Sequence, residues 1–489
     1  MAGHPLWHQH LLIAVVTVVS LVPRALALLA FRPAGFTPDS FIYLAQGTNL
    51  LPGRVRPSGY PALLRMLAPF HSLPLVTAVQ HLLGAATGVL VYLVLRHRRL
   101  PAWGAVLAAC PTLFDTRQLA VESFILPDAL YTFLLTLALA LLLTGRGATA
   151  GRCAACGLLL AWAAITRANG APEMLAVLAV LAVQRTGWRS LAAGLAAFMV
   201  PLVGYMGLFA GYWGTFSLTQ STGMFLWSRT MTFADCAVIH PPPDLAPLCP
   251  RRQHPAAAPP SRSPLAGLLA QPPPASYLWS RGVWWRHGTH PGINAANDGR
   301  AMRFALAAIR AQPAGYLRTV ANGVLLTFTA TDRPLGRHTM HFALTPGVPR
   351  LSRQQSLWLR QYAHTTSDTH PVQPYAYLLM LYQEPVYFPG ALFALVLLVG
   401  LVGAARDRRR RGGAAALPWV VAVIGIVVPV AVHEYHYRYA LPVIPAACLA
   451  AGLAFTRARA FQPRTFAALP AVPAPAGEPA VPASDLAPP

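Results

Sequence analysis

The sequence contains no lysine, so all 38 of its basic residues are arginine, and only 15 of its 489 residues are acidic. Charged residues make up 11% of the chain, against roughly 25% in an ordinary soluble domain. That scarcity excludes a soluble globule, and apolar residues, at 55%, take the place of the missing charge. Mean hydropathy is +0.46. Apolar runs of about 20 residues, the length that crosses ~30 Å of hydrocarbon, recur along the chain. They predict an all-α polytopic membrane protein. A phosphate-binding glycine loop, a soluble catalytic domain and a usable internal repeat are all missing from the sequence.

Cysteine is scarce too, at 6 residues with no metal-ligand pattern. Cys153 and Cys156 form a CxxC without a second pair and read as packing residues. Cys236 and Cys249 lie in one long loop, where they are either free or joined by a disulfide in an oxidising compartment. The net charge of +23 would point to nucleic acid in a soluble chain. Here the arginine sits largely in short loops between apolar runs, so membrane lipid is the natural partner and nucleic acid is not.

The apolar segments expected to span are 11–30, 74–95, 101–114, 129–143, 153–168, 171–184, 190–211, 386–404, 416–432 and 440–455, about ten in all. A cleaved signal peptide ending near Ala25-Leu26-Ala27 is the other reading of the first. The turns 96–100, 145–152, 185–189 and 405–412 and the tail are arginine-rich and alternate so as to share one side. The positive-inside rule makes that side cytoplasmic.

Four regions result: an N-terminal membrane module, 1–211, with its first external loop at 31–73; a long external loop, 212–385; C-terminal spans, 386–456; and a disordered tail, 457–489. Within the long loop, 241–274 holds twelve prolines and reads as an irregular linker. Residues 294–330 read as two helices broken at Pro313. The first carries Met302, Phe304, Leu306 and Ile309 on its apolar side, and the second lies on the membrane.

The same topology gathers chemistry at the external rim. Asp39, Arg54 and Arg56 lie in the first loop; Glu122 and Asp128 in VESFILPDALYTF; Arg167 and Asn169 in ITRANG; and His433, Glu434, His436, Arg438 and Tyr439 in HEYHYRYALP. Ionisable residues at membrane depth cost a few kcal/mol unless they face protein or water, so a polar cavity is expected there. Plainer readings stand beside it. Asp39 and Asp128 each follow a proline and fit helix caps; Glu122 fits a surface pair with Arg117; Arg438 fits an interfacial anchor. Arg54 and Arg56 fit headgroup contacts, and His433 with His436 has the look of a metal pair lacking a third ligand.

The Pro-Asp-Ser and GYP of the first loop, LPDALYTFLLTLA, TRANG and RYALPVIP together resemble the GT-C superfamily of polyprenyl-phosphate-sugar-dependent glycosyltransferases. Protein O-mannosyltransferases and bacterial lipid A aminoarabinose transferases are the similar groups. The likeness covers about residues 10–212, and 430–456 by one motif; the long loop matches no member. The first-loop acid here is one Asp followed by Ser rather than an Asp-Glu pair, so the acceptor of the mannosyltransferases does not carry over.

The resemblance implies a bacterial plasma-membrane enzyme with an extracytoplasmic site. Its donor would be a polyprenyl-phosphate-linked sugar, and its acceptor a glycan, lipid or protein. Asp39 would be the general base, and Arg54, Arg56, Arg167, Arg438 and Tyr439 would bind the lipid phosphate. Glu122 and Asp128 would orient the acceptor or those arginines. No cofactor is implied, and a divalent metal is allowed but not required. The rival readings are a transporter or flippase of a lipid-linked substrate, which would show a pathway to both faces, and a non-catalytic membrane scaffold.

Overall fold

The computed structural model describes residues 10–49, 51–145, 147–168, 170–250, 274–280, 283–286, 291–329, 342, 351–407 and 413–456. The expectations for the tail, for linker residues 251–273, and for Arg146, Asn169 and Arg408–Arg411 lie outside those residues. In chain order, α1 (Leu11–Ala30) is followed by the first-loop helices α2 (Pro38–Asn49) and α3 (Gly59–Leu67). Then come α4 (Leu73–His97), α5 (Ala102–Phe114), α6 (Thr116–Ser123) and α7 (Asp128–Leu143). Three more, α8 (Ala150–Thr166), α9 (Gly170–Val183) and α10 (Trp188–Trp213), close the first half. The long loop carries α11 (Thr222–Thr230), α12 (Ala295–Ala311), α13 (Pro313–Thr329), α14 (Arg353–Ala363) and α15 (Tyr375–Gln383). The chain ends in α16 (Gly390–Arg406), α17 (Gly413–Val432) and α18 (Ile444–Ala454).

The protein is an all-α polytopic membrane protein. Among the described residues, α1, α4, α10, α17 and the run Tyr437–Ala454 are long and apolar enough to cross a bilayer. The other five expected spans are the shorter apolar helices α5, α7, α8, α9 and α16. Small residues let these helices approach closely, as membrane interfaces require where no hydrophobic force acts between helices. A Cβ added to Gly157 of α8 would stand 2.2 Å from the Gly194 carbonyl of α10, and one added to Gly403 of α16 would stand 2.4 Å from Ala454 Cβ.

The two ends of the bundle differ. At the arginine-rich end, Arg98 donates from Nε to Leu143 O (2.6 Å) and Gln184 donates to Gly413 O (2.7 Å), tying four helix ends together. The opposite end is capped by loop structure. Phe36, Phe41, Tyr43, Leu44, Tyr60 and Leu64 form a core of their own with Leu359 and Tyr362 of α14, and Tyr362 Oη donates to Leu64 O (2.8 Å). Strand β1 (Phe31–Arg32) pairs antiparallel with β2 (His370–Pro371). The C-terminal part of the long loop thus clamps the first loop, an arrangement no local pattern in the sequence announces.

Elsewhere in the long loop, α12 and α13 meet at Pro313 as expected, but the buried stripe of α12 is Ala301, Phe304, Ala305 and Ala308. Leu306 is 38% exposed. Met302, Leu306 and Ile309 share one helical face, but only Phe304 of the expected set lies on the buried one, where the alanines line up and their small size admits α11. Helix α13 lies across the same end of the bundle. Tyr316 Oη donates to Ala431 O (3.1 Å) at the end of α17, Phe328 packs on Phe393 at the start of α16, and Leu317 and Leu325 stay exposed. Cys236 and Cys249 are joined in a disulfide, while Cys153 and Cys156 are free and buried. Alkylation of the denatured, unreduced protein is therefore expected to modify four cysteines, Cys110, Cys153, Cys156 and Cys448, with two more modified only after reduction. Modification of all six before reduction would contradict the pairing.

Candidate active site

Asp128 opens α7 after Pro127, yet it does not serve as a cap: the helix start has no side-chain cap bond. Its carboxylate is 1% exposed and is taken up by two guanidiniums. Oδ2 accepts from Arg438 Nε (2.9 Å) and Nη2 (2.6 Å), and Oδ1 accepts from Arg167 Nη1. Charge-assisted bonds of this kind offset the several kcal/mol that each buried ion costs. Arg167 reaches the carboxylate because the chain leaves α8 there in extended conformation. Its guanidinium lies 5.6 Å from the Tyr131 ring and 5.1 Å from the Tyr439 ring. Two arginines on one acid leave a surplus positive charge.

Asp39 lies in the first turn of α2 and does not cap it either. That turn is closed by Thr37 N donating to Ser40 Oγ (2.9 Å) and Ser40 N donating to Thr37 O (3.0 Å). The Asp39 carboxylate pairs instead with Arg56, Nη2 to Oδ2 at 2.9 Å, with the two side chains 23% and 25% exposed. Asp39 and Arg438 are close enough for each other's charge to be felt, and so are Arg56 and Arg438. Tyr43, one turn along α2, is the common neighbour. Burial pushes its hydroxyl up to about 12, with Asp39 adding and Arg56, Arg438 and Arg167 opposing. Asp39, Arg56, Asp128, Arg167, Arg438 and Tyr439, expected from four stretches of sequence, are thus brought into one neighbourhood.

Two expected members stand apart. Arg54 lies 4.0 Å over the Trp213 ring and donates to Ile293 O (3.3 Å), pinning the end of α10 to the long loop. Glu122 neither sits at the surface nor pairs with Arg117, which pairs with Asp115. It is fully buried between Arg24 of α1, at 3.0 and 3.2 Å, and His81 of α4, at 2.9 Å, with Gln118 donating to Oε1 (3.0 Å). The network reaches the site only indirectly: Gln80 donates to Glu122 O (2.7 Å) and accepts from Tyr60 Oη (2.6 Å), and Tyr60 feels the charge of Asp128. His433 faces Glu434 (Nε2 to Oε1, 3.4 Å), whereas the His436 ring accepts from Arg438 N (3.2 Å). Among the described residues no three His, Cys, Asp or Glu side chains gather as a metal set.

Sequence reasoning passed over Arg24, Glu173 and Arg229. The first two carried a usable signal, a lone charge inside an apolar run. Glu173, in the first turn of α9, is fully buried beside Tyr131 and within range of Arg167. Arg229 gave no such signal, because nothing in the long loop's sequence says which of its arginines turns inward.

Geometry predicts how the acids differ. Asp128→Asn strips the counter-charge from two buried arginines and is expected to cost about 3–5 kcal/mol, whereas Asp39→Asn opens a partly solvated pair worth roughly 1 kcal/mol or less. Thermal unfolding of the purified protein in detergent checks the order; equal melting temperatures would refute it. Gly84 of α4 offers a second check. A Cβ there would lie 1.8 Å from Glu122 Oε1, while one at Gly204 meets nothing within 4 Å. Gly84→Ala is expected to push Glu122 off Arg24 and lower the melting temperature sharply, with Gly204→Ala close to wild type.

No family model and no curated protein matches the sequence. Solved structures to which the chain is similar include the Saccharomyces cerevisiae protein O-mannosyltransferase Pmt1-Pmt2 complex bound to the sugar donor. It is similar at 18% identity and a TM-score of 0.35, over 47% of this chain and 37% of that one. ArnT from Cupriavidus metallidurans is similar in the apo state at 16% identity and a TM-score of 0.36, over 91% of this chain and 77% of that one. Bound to undecaprenyl phosphate, ArnT is similar at 15% identity and a TM-score of 0.35, over 91% of this chain and 78% of that one.

Proposed function

We propose that the protein is an integral membrane glycosyltransferase that moves a sugar from a polyprenyl-phosphate donor to an acceptor hydroxyl, with inversion, on the extracytoplasmic face of a bacterial plasma membrane. The observation that carries the reading is the shared neighbourhood of Asp39, accessible and paired through one oxygen, and a buried arginine pair with surplus positive charge. The arginine-rich turns at the opposite end of the bundle support the orientation.

In this reading Arg56 holds Asp39 through Oδ2, and Oδ1 accepts the proton of the acceptor hydroxyl. The acceptor oxygen attacks the anomeric carbon from the face opposite the phosphate. The bond from that carbon to the phosphate oxygen breaks, and its electron pair leaves with the lipid phosphate. Arg167 and Arg438 meet the charge that develops there. Asp128 keeps both guanidiniums in place before substrate arrives, so that little reorganisation accompanies reaction. Tyr439 stacks on Arg167 and restricts it further. The guanidinium charge is enough to balance one departing phosphate, so the scheme needs no metal. Arg54 and Glu122 take no part in the chemistry; both hold the walls.

The test is transfer from a panel of radiolabelled polyprenyl-phosphate sugars by membranes carrying wild type or Asp39→Asn at matched abundance. Loss of the base is expected to lower transfer by ~10²–10⁴-fold. Equal transfer by the two would remove Asp39 from the mechanism.

A further inference from the structure

Beside the Asp39–Arg56 pair, on the side of the long loop, the polar groups are not matched. Arg229 of α11 is 4% exposed; its Nη2 donates to Thr319 O of α13 (2.6 Å), and its Nε has no hydrogen-bond partner. Arg56 Nε and His433 Nδ1 are likewise buried without a partner. The last two meet at Phe225 of α11, one turn before Arg229. The His433 ring lies 4.5 Å from the Phe225 ring, and the Arg56 guanidinium lies 5.7 Å over it. Arg56 and Arg229 both act on His433.

The acid at hand is already engaged elsewhere. Glu434 accepts from Ala275 N (3.0 Å) and faces His433 Nε2 (3.4 Å), with no hydrogen bond to Arg229 among the described residues. Burial draws the Arg229 guanidinium down to about 10, with Glu434 and Tyr316 only partly opposing, as expected of a cation removed from water without a full complement of acceptors. Buried donors left unmatched cost roughly 1–3 kcal/mol each, and native structures rarely hold several together without a use for them.

The required ligand follows from the unmatched atoms. Two guanidinium N–H groups call for anionic oxygens. The imidazole, with Nε2 directed at Glu434, is neutral and presents Nδ1 as an acceptor, so it calls for an O–H. A phosphate group carrying one proton supplies both; a carboxylate supplies only the first. We propose that Arg56, Arg229 and His433 form a second anion subsite that takes a phosphate group of the acceptor, a proposal that rests on reading Asp39 as the base. Arg56 is shared between the pair with Asp39 and this subsite. A phosphate seated there would bring the rest of the acceptor against Asp39, while the donor phosphate keeps to Arg167 and Arg438.

The experiment is calorimetric titration of the full-length protein in detergent with inorganic phosphate, alone and with saturating undecaprenyl phosphate. Phosphate is expected to bind in both conditions. Arg229→Gln should weaken it by about tenfold or more, ~1.4 kcal/mol, and leave undecaprenyl phosphate binding as in wild type. His433→Phe, which keeps the stacking on Phe225 and removes the nitrogen, should weaken phosphate as well and carries the test if Arg229→Gln does not fold. The subsite is overturned if wild type binds no phosphate, if phosphate and undecaprenyl phosphate exclude each other, or if both variants bind phosphate like wild type. Phosphate binding that depends on Arg229 in a protein that ignores undecaprenyl phosphate would support the subsite while striking the polyprenyl donor from the proposed reaction.

Discussion

A carboxylate moved out of water loses several kcal/mol of hydration, and so does each guanidinium moved with it. Asp128, Arg167 and Arg438 are all moved, at the junction of α7, α8 and the segment leading into α18, and the arrangement holds only because each ion is the other's solvent. That mutual dependence fixes three segments far apart in the chain. Arg167 must leave α8 in extended conformation to reach Asp128, and Arg438 must lie in the short turn Tyr437–Ala440 before α18 begins. The position of the first loop follows in turn, because Tyr43 and Arg56 are packed against charges this cluster has already placed.

A second buried cluster does related work at the wall. Arg24, Glu122 and His81 join α1, α6 and α4, and Arg24 also donates to the carbonyls of Leu113 (2.7 Å) and Ser20 (3.0 Å). The Leu113 carbonyl belongs to the last turn of α5, where Asp115 begins the next helix and the chain has no further N–H to offer it. Arg24 therefore satisfies a helix end as well as an acid. Its charge inside an apolar helix is affordable for that reason.

Much of this was legible in the chain. Each expected span coincides with an apolar helix to within a few residues, and five of these are long enough to cross a bilayer, since length and hydropathy suffice when backbone polar groups must be satisfied internally. The alternation of arginine-rich turns brought Asp39, Asp128, Arg167 and Arg438 to one end, which is where they stand. The illegible parts depend on long-range contacts. That Glu122 would turn toward Arg24 of α1 rather than toward nearby Arg117 depends on Gly84 leaving room for its carboxylate. That α14 would cover the first loop depends on Tyr362 finding the Leu64 carbonyl, and nothing local records it. In α12 a close helix contact selects alanines for their small size, so the larger Met302, Leu306 and Ile309 lie off the buried stripe.

The two acids of the site divide their work by burial. A fully enclosed carboxylate with three guanidinium bonds has little acceptor capacity left and no exposed oxygen for a substrate proton, so it is suited to holding cations still. A carboxylate about a quarter exposed, bonded through one oxygen to Arg56, keeps the other oxygen open to solvent or to a hydroxyl. The same logic extends to the arginines. Arg167 and Arg438 spend part of their donor capacity on Asp128 and keep the rest, while Arg229 spends one bond on a backbone carbonyl and has no acid bonded to it among the described residues. Positive charge is therefore uneven across the site: Asp128 is fully paired but leaves Arg167 and Arg438 one charge in surplus, Asp39 and Arg56 balance each other, and Arg229 has no acid bonded to it among the described residues. In the proposed reaction the donor's phosphate would meet the first surplus, and a second anionic group would complete the last.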